Sequence, residues 1–183
     1  MKIVVIGTSG SGKTTMAKAL AGALALPFVE LDAVQWQPNW QPLMETDRDE
    51  FIRRVAAATA GEAWVVDGNY TSAVRHLTWG RATHLVWLDY ERPVIMWRVI
   101  RRSLWRAAMR TELWAGNREQ WRKLWRADHP IRWAWSNWRR HRIDYAERLG
   151  QPEYAHLTVL RVRRPREAEA VVRRLIDAAR PTP

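Results

Sequence analysis

The residues whose chemistry is clearest form a glycine-rich loop near the amino terminus. The loop follows the pattern G-x-x-x-x-G-K-[ST] and consists of Gly7, Thr8, Ser9, Gly10, Ser11, Gly12, Lys13 and Thr14. The backbone N–H groups of such a loop surround the phosphates of a nucleoside triphosphate. We expect Lys13 to reach the β- and γ-phosphates and the Thr14 hydroxyl to bind Mg²⁺. The pattern therefore predicts a binding site for ATP and Mg²⁺, formed by these residues and the adjacent Thr15.

Two aspartates that follow apolar runs are the candidates for metal and acceptor chemistry. Asp67 precedes Gly68 at the end of a run typical of a strand, so we expect its carboxylate beside the loop, holding Mg²⁺ together with Thr14. The alternative for Asp67 is a cap on the following turn. Asp32 is likewise expected at the end of a strand, where it would accept a proton from an acceptor hydroxyl or orient that hydroxyl. The alternative for Asp32 is a turn or helix cap.

Aromatic and polar residues shortly after these aspartates are candidates for the acceptor site. Trp36 and Trp40 flank a Pro-Asn turn, and their rings would stack on a base or cover an apolar face of a ligand. The sequence is equally consistent with indoles that close a hydrophobic patch. We expect Asn69, Tyr70 and Arg75 to line the same pocket.

Positive charge is concentrated in one segment of the chain. The net charge is +11, and residues 92–142 hold 14 lysines and arginines against three acidic residues, which accounts for the whole excess. Within this segment Arg98, Arg102 and Arg106 repeat every four residues. Because like charges at that spacing repel each other on a helix, the pattern favours an anionic partner on that side.

Apolar residues in the same segment recur at helical spacings. Trp97, Ile100 and Leu104 mark another face of the first helix. Residues farther on are expected to pack against one another rather than bind a cofactor: Trp121, Leu124, Trp125, Trp135 and Trp138. Interleaved arginine and tryptophan also suit single-stranded nucleic acid. Since no recognisable nucleic-acid-binding motif is present, nucleic acid is the less favoured partner.

The elements needed to position these groups alternate along the chain. Strands are predicted at Lys2–Ile6, Phe28–Leu31, Ala63–Asp67, His84–Leu88 and Ala155–Val162. Helices are predicted from the loop to before Pro27, over about 46–60, from Pro93 onward, over about 103–148, and from Pro165 to about 179. This alternation implies an α/β fold with a parallel sheet covered on both faces, where ligands bind beyond the carboxyl ends of the strands.

Several stretches resemble the adenylate-kinase-type P-loop kinases. Trp64-Val65-Val66-Asp67-Gly68-Asn69-Tyr70 is similar to their strand followed by Asp-Gly, and Leu85-Val86-Trp87-Leu88-Asp89 with Arg98 and Arg102 is similar to their fourth strand and first lid arginines. A bacterial subgroup, the topology modulation proteins (FlaR-like), is resembled more closely by Leu31-Asp32, Trp36, Pro38, Trp40 and Trp114-Ala115-Gly116-Asn117-Arg118-Glu119. The resemblance covers nearly the whole chain.

This resemblance implies a three-layer α/β sandwich of the P-loop NTPase type, with a five-stranded parallel sheet in the order 2-3-1-4-5. It implies one domain over residues 1–183, with an acceptor-binding segment at about 32–60 and a helical, Arg- and Trp-rich lid at about 103–148. It also implies that Arg98 stacks on adenine and that Arg102 binds a phosphate. When the lid closes, Arg139 and Arg140 would reach the transferring phosphoryl group.

Together these features predict an ATP-dependent phosphotransferase that acts on a small hydroxylated molecule, a nucleoside or a nucleotide. Its catalytic residues would be Lys13, Asp32, Arg102, Arg139 and Arg140. One alternative is a nucleoside-monophosphate kinase, although adenylate kinases do not rely on an acid such as Asp32. Asn69-Tyr70 also departs from that family's Asp-Gly-aromatic-Pro-Arg pattern. The other alternative is a nucleic-acid-binding regulator that modulates DNA topology and hydrolyses ATP.

Composition excludes several classes of protein and of metal site. The chain has no cysteine, which excludes disulfides and thiolate metal sites, and its five histidines show no metal-ligand spacing. No signal-peptide pattern precedes the loop, and no apolar run approaches the roughly 20 residues of a membrane span. We therefore expect a cytoplasmic monomer or homodimer without a membrane partner.

Overall fold

The computed structural model describes residues 1–109, 111–118 and 129–179. Its centre is a parallel sheet of five strands: β1 (Lys2–Gly7), β2 (Phe28–Glu30), β3 (Trp64–Asp67), β4 (His84–Leu88) and β5 (Thr158–Val162). The order across the sheet is β2-β3-β1-β4-β5, with every neighbouring pair parallel. The predicted α/β class and the order 2-3-1-4-5 are confirmed.

Helices cover the sheet and extend beyond it. They are α1 (Lys13–Leu24), α2 (Leu31–Gln35), α3 (Leu43–Thr46), α4 (Arg48–Ala58), α5 (Thr71–Val74), α6 (Arg92–Ala108), α7 (Pro130–Leu149) and α8 (Ala168–Ala179). Short 3₁₀ turns lie at Pro38–Trp40, Trp79–Arg81, Trp114–Gly116, Pro152–Tyr154 and Pro165–Glu167. A small antiparallel hairpin pairs Trp36–Gln37 with Gln41–Pro42. No helix in the described part of the chain is both long and apolar enough to cross a bilayer.

The core consists of two apolar layers, one on each face of the sheet. In β1, Val4 and Ile6 pack into the first layer with Phe51, whereas Ile3 and Val5 pack into the second. Successive side chains of a strand point to opposite faces, so an unbroken apolar strand is buried on both sides. The register places Val5 opposite Asp67 and Gly7 opposite Leu88, which aligns three strand ends at one edge.

The structure corrects the predicted element boundaries in three places. The strand predicted at 28–31 ends at Glu30, and Asp32 lies in the first turn of α2 instead of at a strand end. The helix predicted over 103–148 is interrupted after Ala108, because Ala115 (φ 53°) and Gly116 (φ 76°) adopt left-handed backbone conformations that no α-helix contains. The last strand begins at Thr158 rather than at residue 155, after the 3₁₀ turn at Pro152–Tyr154.

Candidate active site

The glycine-rich loop lies between β1 and α1, at the carboxyl end of the central strand. Gly10 has φ 88°, and a Cβ at this position would lie 2.9 Å from the Ile95 carbonyl oxygen. Only glycine tolerates both this backbone conformation and the close approach of α6. Gly12, with φ 91°, precedes the first residue of α1, Lys13. The loop therefore presents its backbone and the amino terminus of α1 at the edge where an anion binds favourably.

Thr14 and Asp67 meet beside this loop, as the sequence predicts. The Thr14 hydroxyl donates to Asp67 Oδ2 at 2.5 Å, while Asp67 Oδ1 is buried without a partner in the described residues. Burial raises the pKa of the Asp67 carboxyl, and the positive charge of Lys13 partly opposes that rise. A hydroxyl beside an unsatisfied carboxylate oxygen fits Mg²⁺, which prefers oxygen ligands and takes its others from phosphate and water.

Other metal arrangements are not found in the part of the chain that the structure describes. No group of three or more histidine, aspartate or glutamate side chains there is arranged to hold a metal ion.

The Asp32 carboxylate is hydrogen-bonded to Tyr70, a residue that the sequence predicts only as part of the pocket lining. The Tyr70 hydroxyl donates to Asp32 Oδ1 at 2.6 Å, and the Tyr70 ring packs against Phe51 at 5.6 Å. Burial and the nearby Asp32 charge raise the pKa of Tyr70, which keeps its hydroxyl protonated as a donor. The pair therefore fixes the orientation of the Asp32 carboxylate in the same cleft as the glycine-rich loop.

The remaining predicted acceptor residues divide into two groups. Trp36 and Trp40 line the cleft, with their rings edge to face at 5.5 Å. Asn69 also lines it, but its side-chain amide is used on the loop: Nδ2 donates to the Gly7 carbonyl at 2.6 Å, and the Gly7 N–H donates to Oδ1 at 3.4 Å. Arg75 is not among the residues that line the cleft. Its guanidinium stacks on the buried Trp79 at 5.4 Å, so the prediction for Arg75 does not fit its position.

Two arginines of α6 reach the loop. Arg98 Nη1 donates to the Ser11 carbonyl at 3.1 Å and its guanidinium lies 5.1 Å from the Tyr90 ring. Arg102 Nη2 donates to Ser9 Oγ at 3.0 Å. Four-residue spacing on one helix thus brings both guanidinium groups to the phosphate-binding end of the cleft.

The arginines predicted to act from the lid lie elsewhere. Arg139 and Arg140 are exposed and border a shallow depression with Asp144 and Glu147 on the outer side of α7. The same helix presents Trp133 and His141 to the main cleft. The helix α7 begins at Pro130. The sequence analysis predicted one helical segment over about 103–148 and did not indicate this start.

His141 also lines the cleft, and the sequence analysis gives this residue no role. Its ring lies 4.7 Å from that of Trp133 and 5.5 Å from that of Tyr145. Burial, with the nearby charge of Lys13, lowers the pKa of His141 to about 4, so the ring is neutral at pH 7. The repeat of Trp133, His141 and Tyr145 at multiples of four was the available signal for a shared helix face.

The apolar faces of the basic segment are only partly packed. Trp97 is 67% exposed, and Ile100 and Leu104 are also exposed, so the apolar face that these residues form on α6 is exposed to solvent. Trp138 is half-buried and its indole N–H donates to the Tyr90 carbonyl at 3.0 Å. Trp135 is exposed and carries the Arg92 guanidinium on its ring at 3.3 Å. The predicted contacts of Trp121, Leu124 and Trp125 lie outside the described residues.

The cleft that unites these groups is large. Its volume is about 2740 Å³, and its walls include the loop, α6, the hairpin, the turn at 112–118 and α7. A pocket for one drug-sized ligand has roughly 300–1,000 Å³. The cleft therefore has room for a nucleotide and a second molecule side by side.

Comparisons with known proteins agree with this architecture. A family model described as ATPase family associated with various cellular activities (AAA) matches residues 3–65, about a third of the chain, including the loop. No curated protein sequence matches the chain.

Solved structures are similar over nearly the full length. They include shikimate kinase from Acinetobacter baumannii (TM-score 0.58, 18% identity, 97% of this chain and 91% of that chain) and a sugar kinase from Janibacter sp. (0.52, 21%, 99% and 98%). A gluconokinase from Sinorhizobium meliloti is similar with TM-score 0.50, 22% identity, and coverage of 97% and 94%. The chain therefore has the fold of P-loop kinases. The narrower resemblance to topology modulation proteins stays a prediction.

Proposed function

We propose that this protein transfers the γ-phosphoryl group of ATP, with Mg²⁺, to a hydroxyl group of a small acceptor. The observation that carries the proposal is the shared cleft: a phosphate-binding loop with its Thr14–Asp67 pair opens into the space that contains the Asp32 carboxylate. The structures of similar fold support a phosphotransferase, since those proteins are a shikimate kinase, a gluconokinase and a sugar kinase.

The proposed chemistry depends on positioning and charge neutralisation. The loop backbone and Lys13 would hold the phosphates, while Thr14 and Asp67 would hold the metal ion, which neutralises charge on the β- and γ-oxygens. The bond from the γ-phosphorus to the β–γ bridging oxygen breaks as a bond to the acceptor oxygen forms. Asp32, oriented by Tyr70, accepts the proton of the acceptor hydroxyl.

Arg98 and Arg102 would stabilise the phosphates, since each donates a hydrogen bond to the loop. Arg139 and Arg140 would join them only if α7 moved, since they border a different depression. In this proposal residues 1–183 act as one cytoplasmic unit, with an acceptor-binding segment at about 32–60 and a lid at about 103–148. Lid closure would exclude water and limit hydrolysis of ATP.

The structure favours a hydroxyl acceptor over a nucleoside monophosphate. A nucleoside monophosphate presents an anionic phosphate that needs no general base, whereas the Asp32 carboxylate in the cleft, with Arg75 stacked on Trp79 outside it, fits a neutral hydroxyl. The alternative of a nucleic-acid-binding regulator stays a prediction.

The test is a transfer screen with labelled ATP over sugars, shikimate, nucleosides, nucleotides and other small hydroxylated metabolites. Lys13→Ala serves as the inactive reference. With the acceptor found, Asp32→Asn is expected to lower kcat/KM by roughly 10²- to 10⁴-fold, the usual contribution of a general base. A preference for nucleoside monophosphates that survives Asp32→Asn would contradict the proposal, as would the absence of ATP binding in calorimetry.

A further inference from the structure

One buried side chain joins two distant segments at the acceptor end of the cleft. Asn117, in the turn at 112–118, is 5% exposed. Its Oδ1 accepts from the Trp40 backbone N–H at 2.8 Å, and its Nδ2 donates to the Gln37 carbonyl at 2.9 Å and to the Trp114 carbonyl at 2.8 Å. These bonds tie the turn to the hairpin at 36–42, which lies 77 to 80 residues earlier in the chain.

Backbone strain is concentrated at the same contact. Of the four non-glycine residues with positive φ in the described chain, Asn39 (61°), Trp40 (59°) and Ala115 (53°) lie in the two joined segments. A left-handed conformation is unfavourable for a residue with a Cβ and persists only where the surroundings hold it. The Asn117 bonds to Gln37 and Trp40 enclose two of these residues, so the contact itself holds the hairpin in this shape.

The joined segments present their indoles to the cleft. Trp36, Trp40 and Trp114 all line it. The Trp40 indole N–H also donates to the Arg118 carbonyl at 3.4 Å. Asn117 is not among the lining residues, so it acts on the cleft through these neighbours.

We propose that Asn117 is a positioning residue of the acceptor site, which docks the turn at 112–118 on the hairpin so that Trp40 and Trp114 together form the acceptor wall. This inference rests on the proposed function, because that function identifies this end of the cleft as the acceptor end. The turn belongs to the predicted lid, so the acceptor wall is complete only when the start of the lid is docked. The described contacts of Asn117 include none with the phosphate-binding loop, so nucleotide binding does not depend on it.

The first test separates the two substrates. Asn117→Ala is expected to raise the KM for the acceptor by about tenfold or more, because loss of a positioning contact displaces the wall, whereas the KM for ATP changes by less than about twofold. Asn117→Asp retains an oxygen acceptor for the Trp40 N–H but loses both donated bonds, and we expect an intermediate KM. Asn137→Ala is the matched control, since it removes a single bond within α7, from Nδ2 to the Trp133 carbonyl.

The second test needs no acceptor. Hydrogen exchange of the Trp40 amide, which donates directly to Asn117, is expected to be about tenfold faster or more in Asn117→Ala and unchanged in Asn137→Ala. Unchanged Trp40 exchange in the folded Asn117→Ala protein would overturn the inference, as would equal increases in both KM values. If the screen yields no acceptor, the proposed function fails, while the exchange measurement still decides whether the contact is as described.

Discussion

The two ends of the cleft are built in different ways. The phosphate-binding end comes from one continuous segment, β1, the loop and α1, with Asp67 from the adjacent strand and with Gly10 packed against α6. The acceptor end comes from a hairpin and a turn that are far apart in the chain and are joined by side-chain bonds. Local sequence thus determines most of the structure of the phosphate-binding end, whereas tertiary contacts determine the structure of the acceptor end.

The two ends also differ in charge. Lys13, Arg98 and Arg102 lie at the phosphate-binding end, which suits a triphosphate. Glu30 and Asp32 lie at the other end. Burial raises the pKa of Glu30, and the charges of Asp67 and Asp32 raise it further. In the proposed function, such a cleft would hold the anionic donor at one end and accept the proton of the acceptor hydroxyl at the other.

The largest effect after that of Asp32→Asn is expected from removing the Asp67 carboxylate, which we propose binds Mg²⁺. Asp67→Asn is expected to lower Mg²⁺-dependent kcat/KM by roughly 10²- to 10³-fold, as for other losses of transition-state charge stabilisation. The folded protein should not be destabilised without Mg²⁺, because burial already disfavours the charged form of Asp67. Magnesium titrations of activity and thermal unfolding without metal check both points.

The exposed Asp49→Asn on α4 is the control for that experiment, since it makes the same chemical change outside the cleft. Retention of Mg²⁺ activation in Asp67→Asn would show that the metal is held by other groups. The phosphate-binding end would then not depend on the strand that carries Asp67, and the two ends of the cleft would differ less in how they are built.

The same contrast explains what could be predicted from the sequence. The loop and the Thr14–Asp67 pair follow from local patterns, since a glycine motif and an apolar strand ending in Asp-Gly determine the local backbone geometry. The strand order follows only from the resemblance to P-loop kinases. The Asn117 contact and the position of His141 depend on where the helical segment after Ala108 breaks and resumes. Arg75, Arg139 and Arg140 were placed in the cleft by analogy, and their actual surroundings depend on the register of α7 and on the aromatic cluster around Trp79.

A second prediction concerns which arginines serve the transferring phosphate. Arg102→Ala is expected to lower kcat/KM by roughly 10- to 100-fold, because Arg102 is bonded to the loop through Ser9. The double variant Arg139→Ala/Arg140→Ala is expected to change it by less than about threefold, since surface charges outside a site contribute little. Steady-state kinetics with saturating acceptor compares the two proteins. A tenfold or larger loss in the double variant would instead show that α7 rotates into the cleft during closure.

The smallest effect is a pH dependence of stability that reports on His141. In the unfolded chain this histidine has its ordinary pKa of 6.5, but in the fold burial and the charge of Lys13 lower the pKa to about 4. Between these values the unfolded state binds more protons, so the contribution of His141 to stability is lost as the pH falls from 6.5 towards 4. Asp67 and Glu30, whose pKa values are raised, act in the opposite direction, so the effect must be measured as a difference between two proteins.

Thermal unfolding of the wild type and of His141→Gln at pH 7 and pH 5 isolates this contribution. The decrease in Tm on acidification should be larger in the wild type by about 2–4 °C, which corresponds to about 1 kcal/mol after allowing for the partial exposure of the ring. His84, whose pKa is also lowered by burial, is present in both proteins and cancels. ATP should reduce the difference, because phosphates beside Lys13 offset the positive charge that lowers the pKa of His141. If ATP leaves the difference in Tm between the two proteins unchanged, His141 lies away from the phosphate-binding end, and α7 does not contribute to that end of the cleft.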